Sequence, residues 1–499
     1  MAEQSEWVEF CEALDLGRLV PESYRQYQPA VIDGLSYFLE NLPEERTEAI
    51  LADQLTLPPN ADVEQRLVAL ARHCPVLHKL GQILARDHRL PESFRTLLQT
   101  LETMPSDLGV EAARALVEAE LGPLASRGIT IDEPPLAEAS VAVVIPFLWH
   151  ESETEPPRHG VFKLLKAGVE ARLEEDLDLL QQIGALLDER CQAYHLPRIE
   201  YEQTFMQVRD LLAWEVRLDQ EQAHLAAARS LFAGTADVII PEVHYLSTPR
   251  LTAMERVFGR KVTDVASLTA GERRRLATVI VKALIARPLW SNGSATMFHA
   301  DPHAGNLYVT EDGRIALLDW SLVGYLRKDD QVGLTEILLG AMTLDGERIG
   351  RAIAGLADQR IDHAALADAV QTRMQRLRDG TWPGFDWVMG LMDAAATEAG
   401  ARFDAGLVMF RKVLQTLDGV VKDVSADCRL GRVMALSLTK RLVGEWQRRA
   451  YAEPRSRDFS THFSNLDITQ LLVSSPIIGS RYALALQAGL LARDDTRGE

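Results

Sequence analysis

The sequence predicts an α+β fold of two lobes, a small β-containing lobe and a mainly α-helical one, with a helical extension ahead of both. Three observations predict it. β-Branched runs cluster at 141–145, 161–165 and 238–254; apolar residues recur at three- and four-residue steps almost everywhere else; and one tight hairpin, 306–319, interrupts the helical second half. The expected boundaries are 1–127 for the extension, 128–256 for the small lobe, 257–455 for the helical lobe and 456–499 for a tail.

In the extension, Val63, Leu67, Leu70, Cys74, Leu77 and Leu84 follow helical spacing, and Pro75 is expected to end one helix and open the next. The two runs flanking the polar stretch 150–159 predict an antiparallel hairpin. Val169, Leu173, Leu177, Leu180, Ile183 and Leu187 then predict one long helix, and 201–232 a second. Val238-Ile-Ile240, Val243-His-Tyr245 and Arg250-Leu-Thr-Ala-Met254 are expected to complete the sheet begun at residue 141. Farther on, Phe403, Leu407, Phe410, Leu414, Leu417, Val421 and Val424 form an apolar stripe over six helical turns that predicts core packing.

Composition narrows the function. With 499 residues, 47% apolar and 25% charged, the chain has ample core and is neither disordered nor collagen-like. A net charge of −19 repels phosphate backbones, and no basic run is visible, so no nucleic-acid partner is expected. Cys11, Cys74, Cys191 and Cys428 form no C-x-x-C pair and suggest a reducing, cytoplasmic setting. The acidic residues 1–6 predict no secretory signal. The nearest approach to a membrane span, 471–492, is broken by Ser474, Ser475, Pro476, Ser480 and Arg481, which suits an interfacial position at most.

The chemistry concentrates in Phe298-His-Ala-Asp-Pro-His-Ala-Gly-Asn306, where Asp301 precedes Asn306 by five residues and the following hairpin ends at Asp319. Phosphoryl transfer needs a carboxylate near the attacking oxygen and oxygen ligands holding Mg²⁺ on the phosphates; a loop Asp, a loop Asn and a post-hairpin Asp supply these in protein-kinase-like sites. A surface loop with Asx turns leaves Asp319 unexplained at the end of an apolar strand. A metal-hydrolase set of His299, Asp301 and His303 lacks further ligands, since only His363 and His462 follow.

A nucleotide also needs a lysine on its phosphates and an acid to hold that lysine. Lys163 shares a strand face with Val161 and Leu165, whereas Lys166 falls on the other face. Glu221 lies on the stripe Leu211, Trp214, Leu218, Glu221, Leu225, so each charge is the other's expected partner. Met254, Glu255 and Val257, at the junction before Gly259, are expected to meet adenine through their backbone. Met254 reads almost equally well as a core methionine.

Taken in order, these residues resemble the UbiB/AarF family of atypical kinase-like proteins over about 74–424. The resemblance is carried further by a K-x-G-Q motif, Lys79-Leu-Gly-Gln82, by Leu90-Pro-Glu-Ser-Phe94, and by an alanine-rich loop, Pro135-Leu-Ala-Glu-Ala-Ser140. It implies a protein-kinase-like two-lobed fold in which Lys79, Gln82 and Glu215 belong to a cover over the cleft, and Ala137, Ala139 and Ser140 lie against ATP. It implies ATP and Mg²⁺ as cofactors, and ATPase or small-substrate kinase activity linked to ubiquinone or other prenyl-lipid metabolism rather than peptide phosphorylation. A prenyl-lipid or quinone precursor, and peripheral contact at the inner face of the membrane, are the implied partners. A small-molecule phosphotransferase and a pseudokinase scaffold are the alternatives. Four features depart from the family pattern: Glu138 interrupts the alanines, Ala142 and Val143 replace a glycine and a glutamine, Arg217 replaces the acid after Glu215, and Ser321 replaces a glycine that could adopt positive φ.

Overall fold

In a computed structural model, which describes residues 20, 22–58, 60–84, 90, 92–101, 108–150, 156–196, 200–357, 361–379 and 383–495, Asp62 opens the helix Val63–His73 through a capping box. Its carboxylate accepts from Gln65 N at 2.8 Å, and Gln65 Oε1 accepts from Asp62 N at 3.2 Å. Cys74 leaves helical torsions, and Pro75 starts the helix Pro75–Leu84. The chain divides into two units, Met1–Ala226 with Glu242–Arg256, and Ala227–Pro241 with Val257–Glu499. Residues 1–6 and Cys11, on which the export and thiol expectations partly rest, lie outside the described residues.

The first unit joins helices to an antiparallel sheet. Its strands are β1 (Ile129–Thr130), β2 (Ala137–Glu138), β3 (Ala142–Trp149), β4 (Arg158–Leu165) and β6 (Leu251–Glu255), in the order β1-β3-β4-β6 with β2 also on β3. The expected hairpin is β3–β4, registered with Val144 opposite Lys163. Ile145, Phe162, Leu251 and Ala253 are fully buried on it, against Ala113 and Val117 of the helix Val110–Leu121. Phe147 stacks on Phe162 with ring centroids 3.9 Å apart.

Two expectations need correction. The second helix does not run unbroken from Tyr201 to Phe232: Tyr201–Ala213 is followed by a 3₁₀ turn, Trp214–Val216, and a new helix, Leu218–Leu231. Arg217, at φ −93° and ψ 68°, makes the break. Asp219 and Glu221 then fall in the first turn of the new helix, where the macrodipole favours acids. Nor does the whole second β patch join the first sheet. β5 (Val238–Ile239) pairs parallel with β10 (Ile315–Leu317) in the second unit, and the 243–245 segment contributes only a bridge from Val243 to Met254.

The second unit contains a four-stranded sheet in the order β5-β10-β9-β7, with β7 at Arg260–Lys261 and β9 at Leu307–Val309. A separate ribbon pairs β8 (Ala295–His299) with β11 (Val323–Arg327). The expected hairpin is β9–β10, turned at Gly313 with φ +78°. From Leu407 on, the apolar stripe forms the helix Ala405–Val424, whose Phe410 meets Phe298 edge-on at 5.2 Å; Phe403, expected to begin it, precedes the Asp404 cap and bridges to Ala357 instead. Among the described residues no helix is long and apolar enough to cross a membrane, and Pro476 lies inside the last one, Asn465–Asp495.

Candidate functional site

Three groups of the expected site residues come together, each within one unit, while Val257 falls in the second unit and Met254 and Glu255 in the first. Lys163 stands on β4 between Val144 and Thr252. Its Nζ donates to both oxygens of Glu221, at 2.9 and 2.8 Å. The Glu221 side chain is 1% exposed and that of Lys163 14%, so the pair is withdrawn from water and charge-compensated. Gln222 is the reason Glu221 arrives there. Its amide donates to Thr248 O at 2.8 Å and to Thr252 Oγ1 at 3.0 Å, pinning the first turn of Leu218–Leu231 beside β6. The apolar frame of Glu221 is narrower than the expected stripe: Leu218 and Leu225 are buried, Trp214 is 45% exposed, and the side chain of Leu211 lies outside the described residues.

The second group joins the K-x-G-Q helix to the 3₁₀ turn. Lys79 Nζ lies 2.7 Å from Glu215 Oε1, both half-buried. Gly81 is needed for packing, because a Cβ there would stand 2.7 Å from Leu101 Cδ1. The side chain of Gln82 lies outside the described residues. Around the alanine-rich stretch, Ala139 N donates to Ala142 O at 2.8 Å, closing a tight turn between β2 and β3. Ala137, Ala139 and Ser140 are half-buried. Glu138 pairs with Lys166 at 2.7 Å. At the junction Met254 pairs with Val161, Glu255 is exposed and donates its amide to Glu242 O at 2.9 Å, and Val257 is half-buried.

The third group is the 298–321 region of the second unit. His299 is buried at its centre: Nε2 donates to Leu318 O at 2.9 Å, and Nδ1 accepts from Asp301 N at 3.2 Å. Burial pushes its imidazole below the usual range, which keeps it neutral and suited to that donor–acceptor pairing. Asn306 Nδ2 donates to Asp301 O at 3.1 Å, and Leu318 N donates to Asn306 O at 2.9 Å. These bonds lace the backbone of Asp301, Asn306 and the strand end before Asp319 into one network.

Asp319 adopts φ +52°, a left-handed torsion uncommon outside glycine, and accepts Ser321 N at 3.2 Å. The positive φ of this turn therefore sits on Asp319; Ser321 does not adopt one. Lys412, which sequence spacing hid within a core stripe, lies 3.7 Å from Asp301 Oδ1.

The donor set fits Mg²⁺. With its amide nitrogen engaged, Asn306 retains an oxygen acceptor, and Asp319 supplies a carboxylate; magnesium takes one or two such ligands beside phosphate oxygens. Among the described residues no group of three or more His, Cys, Asp or Glu could hold a metal ion. His299, Asp301 and His303, the set of the hydrolase alternative, thus do not form such a group. Both His299 nitrogens face backbone groups, and His303 Nδ1 accepts Gly305 N at 3.0 Å.

Residues 104–353, half of the chain, match the model of the ABC1 atypical kinase-like domain. The chain is 30% identical over 298 residues to the "Probable protein kinase UbiB" of Xanthomonas euvesicatoria pv. vesicatoria (strain 85-10), covering 56% of this chain and 52% of that protein. It is 27% identical over 293 residues to the protein of that name from Xylella fastidiosa (strain M23), covering 56% and 51%. The chain thus spans about half the length of the curated relatives it matches. A solved structure, Rv3197 of Mycobacterium tuberculosis with erythromycin, is similar at a TM-score of 0.49 and 15% identity, covering 77% of this chain and 95% of that one.

Proposed function

This chain belongs to the ABC1 atypical kinase-like family of UbiB/AarF type, and from that membership we propose that it binds ATP with Mg²⁺ and cleaves or transfers the γ-phosphoryl group. Lys163, oriented by Glu221, engages the phosphates. Asn306 and Asp319 are the Mg²⁺ ligands, and Asp301 positions the attacking water or hydroxyl and takes its proton. Mg²⁺, when bound, neutralises charge developing on the phosphate oxygens. Lys79, Gln82 and Glu215 contribute a cover, the turn at Ala137, Ala139 and Ser140 borders the phosphates, and Met254, Glu255 and Val257 border the adenine. The acceptor is a small molecule of the prenyl-lipid or quinone-precursor class, met at a membrane surface.

The observation that carries this reading is the Lys163–Glu221 pair. A doubly hydrogen-bonded ammonium–carboxylate pair with its acid buried is the arrangement a phosphate-orienting lysine needs. The test combines thermal melting with phosphate release. Wild type is expected to gain melting temperature with ATP and Mg²⁺; Asp319→Asn loses the magnesium-dependent part, and Asp301→Asn retains binding but loses release. Equal release by wild type and Asp301→Asn would replace the enzyme with a nucleotide-binding scaffold. Stimulation of wild type by quinone-precursor-like phenols would support the acceptor class.

A further inference from the structure

Away from the residues assigned above, the second unit contains a cavity of about 870 Å³ whose walls come from the helix Ala270–Val281 and its continuation, the strand end at Asp237 and Val238, and the helix Leu430–Gly444. On a chain of net charge −19 its lining is basic: Lys282, Arg287, Arg429, Arg432, Lys440 and Arg441 all face it. Two acids also line it, and one of them sits by a lining cation, Arg274. Asp237 pairs with Arg275 at 2.6 Å, and Asp427 lies 3.7 Å from Arg274. Glu445, just beyond the wall, is bonded to Arg449, Ser460 and Thr461.

A local irregularity builds the wall. After Val281 the helix widens into a π segment, Lys282–Ala286, closed by Arg287 N donating to Lys282 O. An i→i+5 ring brings residues five apart towards one side, so Lys282 and Arg287 both line the cavity; such bulges are frequent at functional sites.

Two buried polar atoms on this wall, Arg287 Nε and Ser437 Oγ, lack a hydrogen-bond partner. The rest of the Arg287 guanidinium is held, by Leu231 O and over the ring of Phe232 at 4.9 Å. Burial lowers the Arg287 pKa, and burial and then the neighbouring Arg287 charge lower that of Arg441, so two guanidinium groups oppose each other at partial desolvation. Both side chains are half-buried, and Glu445 offsets only part of the effect on Arg441; cations so placed, outnumbering the acids near them, ordinarily attract an anion. Guanidinium groups match the oxygens of phosphate, and the volume admits a phosphate ester.

We propose that this basic cavity is a second binding site, for a phosphate-bearing ligand in which Arg287 and Arg441 clamp the phosphate and Arg432 and Lys440 widen the positive rim. Leu436, on the same rim, is 62% exposed, so a ligand with an apolar portion beside its phosphate, such as a phospholipid headgroup, fits as well as a free phosphate compound.

The test titrates inorganic pyrophosphate, without Mg²⁺, into the full chain by calorimetry, and floats the protein with vesicles of phosphatidylcholine alone or mixed with phosphatidylglycerol. Wild type is expected to bind pyrophosphate, and a component of that binding is expected to persist in Lys163→Met. Arg287→Gln, and separately the exposed pair Arg432→Gln with Lys440→Gln, should lose roughly tenfold in affinity, the scale of one charge-assisted bond. Flotation on phosphatidylglycerol that falls in the same variants assigns the site to a headgroup; pyrophosphate binding without flotation assigns it to a soluble phosphate compound. Absence of both, or wild-type affinity in both cavity variants, overturns the proposal. Loss of pyrophosphate binding in Lys163→Met with the cavity variants unaffected would overturn it too, and would leave the nucleotide reading intact.

Discussion

Two buried acid–base pairs lie in the first unit, and they are built differently. Arg46 Nη2 bonds both Asp176 Oδ1 at 2.6 Å and His73 O at 3.2 Å, while Asp176 Oδ2 accepts Val76 N at 3.1 Å. Backbone closes that pair on both sides. It ties the helix Val169–Arg190 to the break between Val63–His73 and Pro75–Leu84, and Asp176 is 0% exposed. Burial pushes the Asp176 carboxyl up to about 6, and Arg46 opposes that rise. Lys163 and Glu221 make two slightly longer contacts, 2.9 and 2.8 Å, from side chain to side chain, and the cation is a lysine rather than an arginine. The difference teaches that burial and ion pairing do not mark a working site. A planar guanidinium bonded to both an acid and a backbone carbonyl locks helices, whereas a lysine ammonium on a flexible four-carbon stem can re-aim towards a ligand.

Asp176→Ala breaks the comparison most forcefully. It strands a buried guanidinium and an amide, and should cost about 3–5 kcal/mol, read from urea unfolding. The melting increment produced by MgATP should survive; its loss would show that the two pairs are one system.

A buried titratable group with no partner sharpens the contrast. His462 is 1% exposed, neither ring nitrogen is hydrogen-bonded, and burial lowers its pKa to about 4. Lys328 and Arg457 oppose its protonation and Glu445 favours it. Because the folded pKa lies below the unfolded one, the unfolded chain gains the proton first. Stability is retained above pH 6.5 and falls as the pH drops towards 4, by on the order of 3 kcal/mol. His462→Asn, which tolerates the φ of +58°, should flatten this limb in melts at successive pH values; an unchanged slope would refute the assignment.

Glu221→Gln has the smallest expected cost, roughly 1–2 kcal/mol, because Lys163 can recover part of its hydration. Its signature lies elsewhere. The MgATP increment should shrink towards zero, the reverse of the outcome for Asp176→Ala.

These contrasts show what could be read from the chain. The β3–β4 hairpin was legible because Val161, Lys163 and Leu165 alternate with Phe162, Leu164 and Lys166, and one register satisfies both faces. Glu221 was legible as the partner of Lys163 because few acids sit among Leu218 and Leu225. The break at Arg217 was hidden, since Leu212 and Leu218 are both buried and helical spacing runs through it. β5 is two residues long and carries nothing in its sequence to choose between two sheets. The ribbon β8–β11 joins segments separated by residues 300–322, which hold the whole β9–β10 hairpin. The basic cavity was invisible for the same reason: Lys282 and Arg287 meet Arg432, Lys440 and Arg441 only after more than one hundred intervening residues have folded.

Asp319 shows how narrowly one position can be specified. Its carboxylate is the proposed cation ligand, and its main chain turns the corner after β10 in a conformation that penalises most side chains. Asparagine would preserve the corner without the charge, glycine the corner without any donor, and glutamate a charge on a chain ill suited to the bend. Two independent selective filters overlap on aspartate, while Ser321 is released from torsional duty and free to diverge.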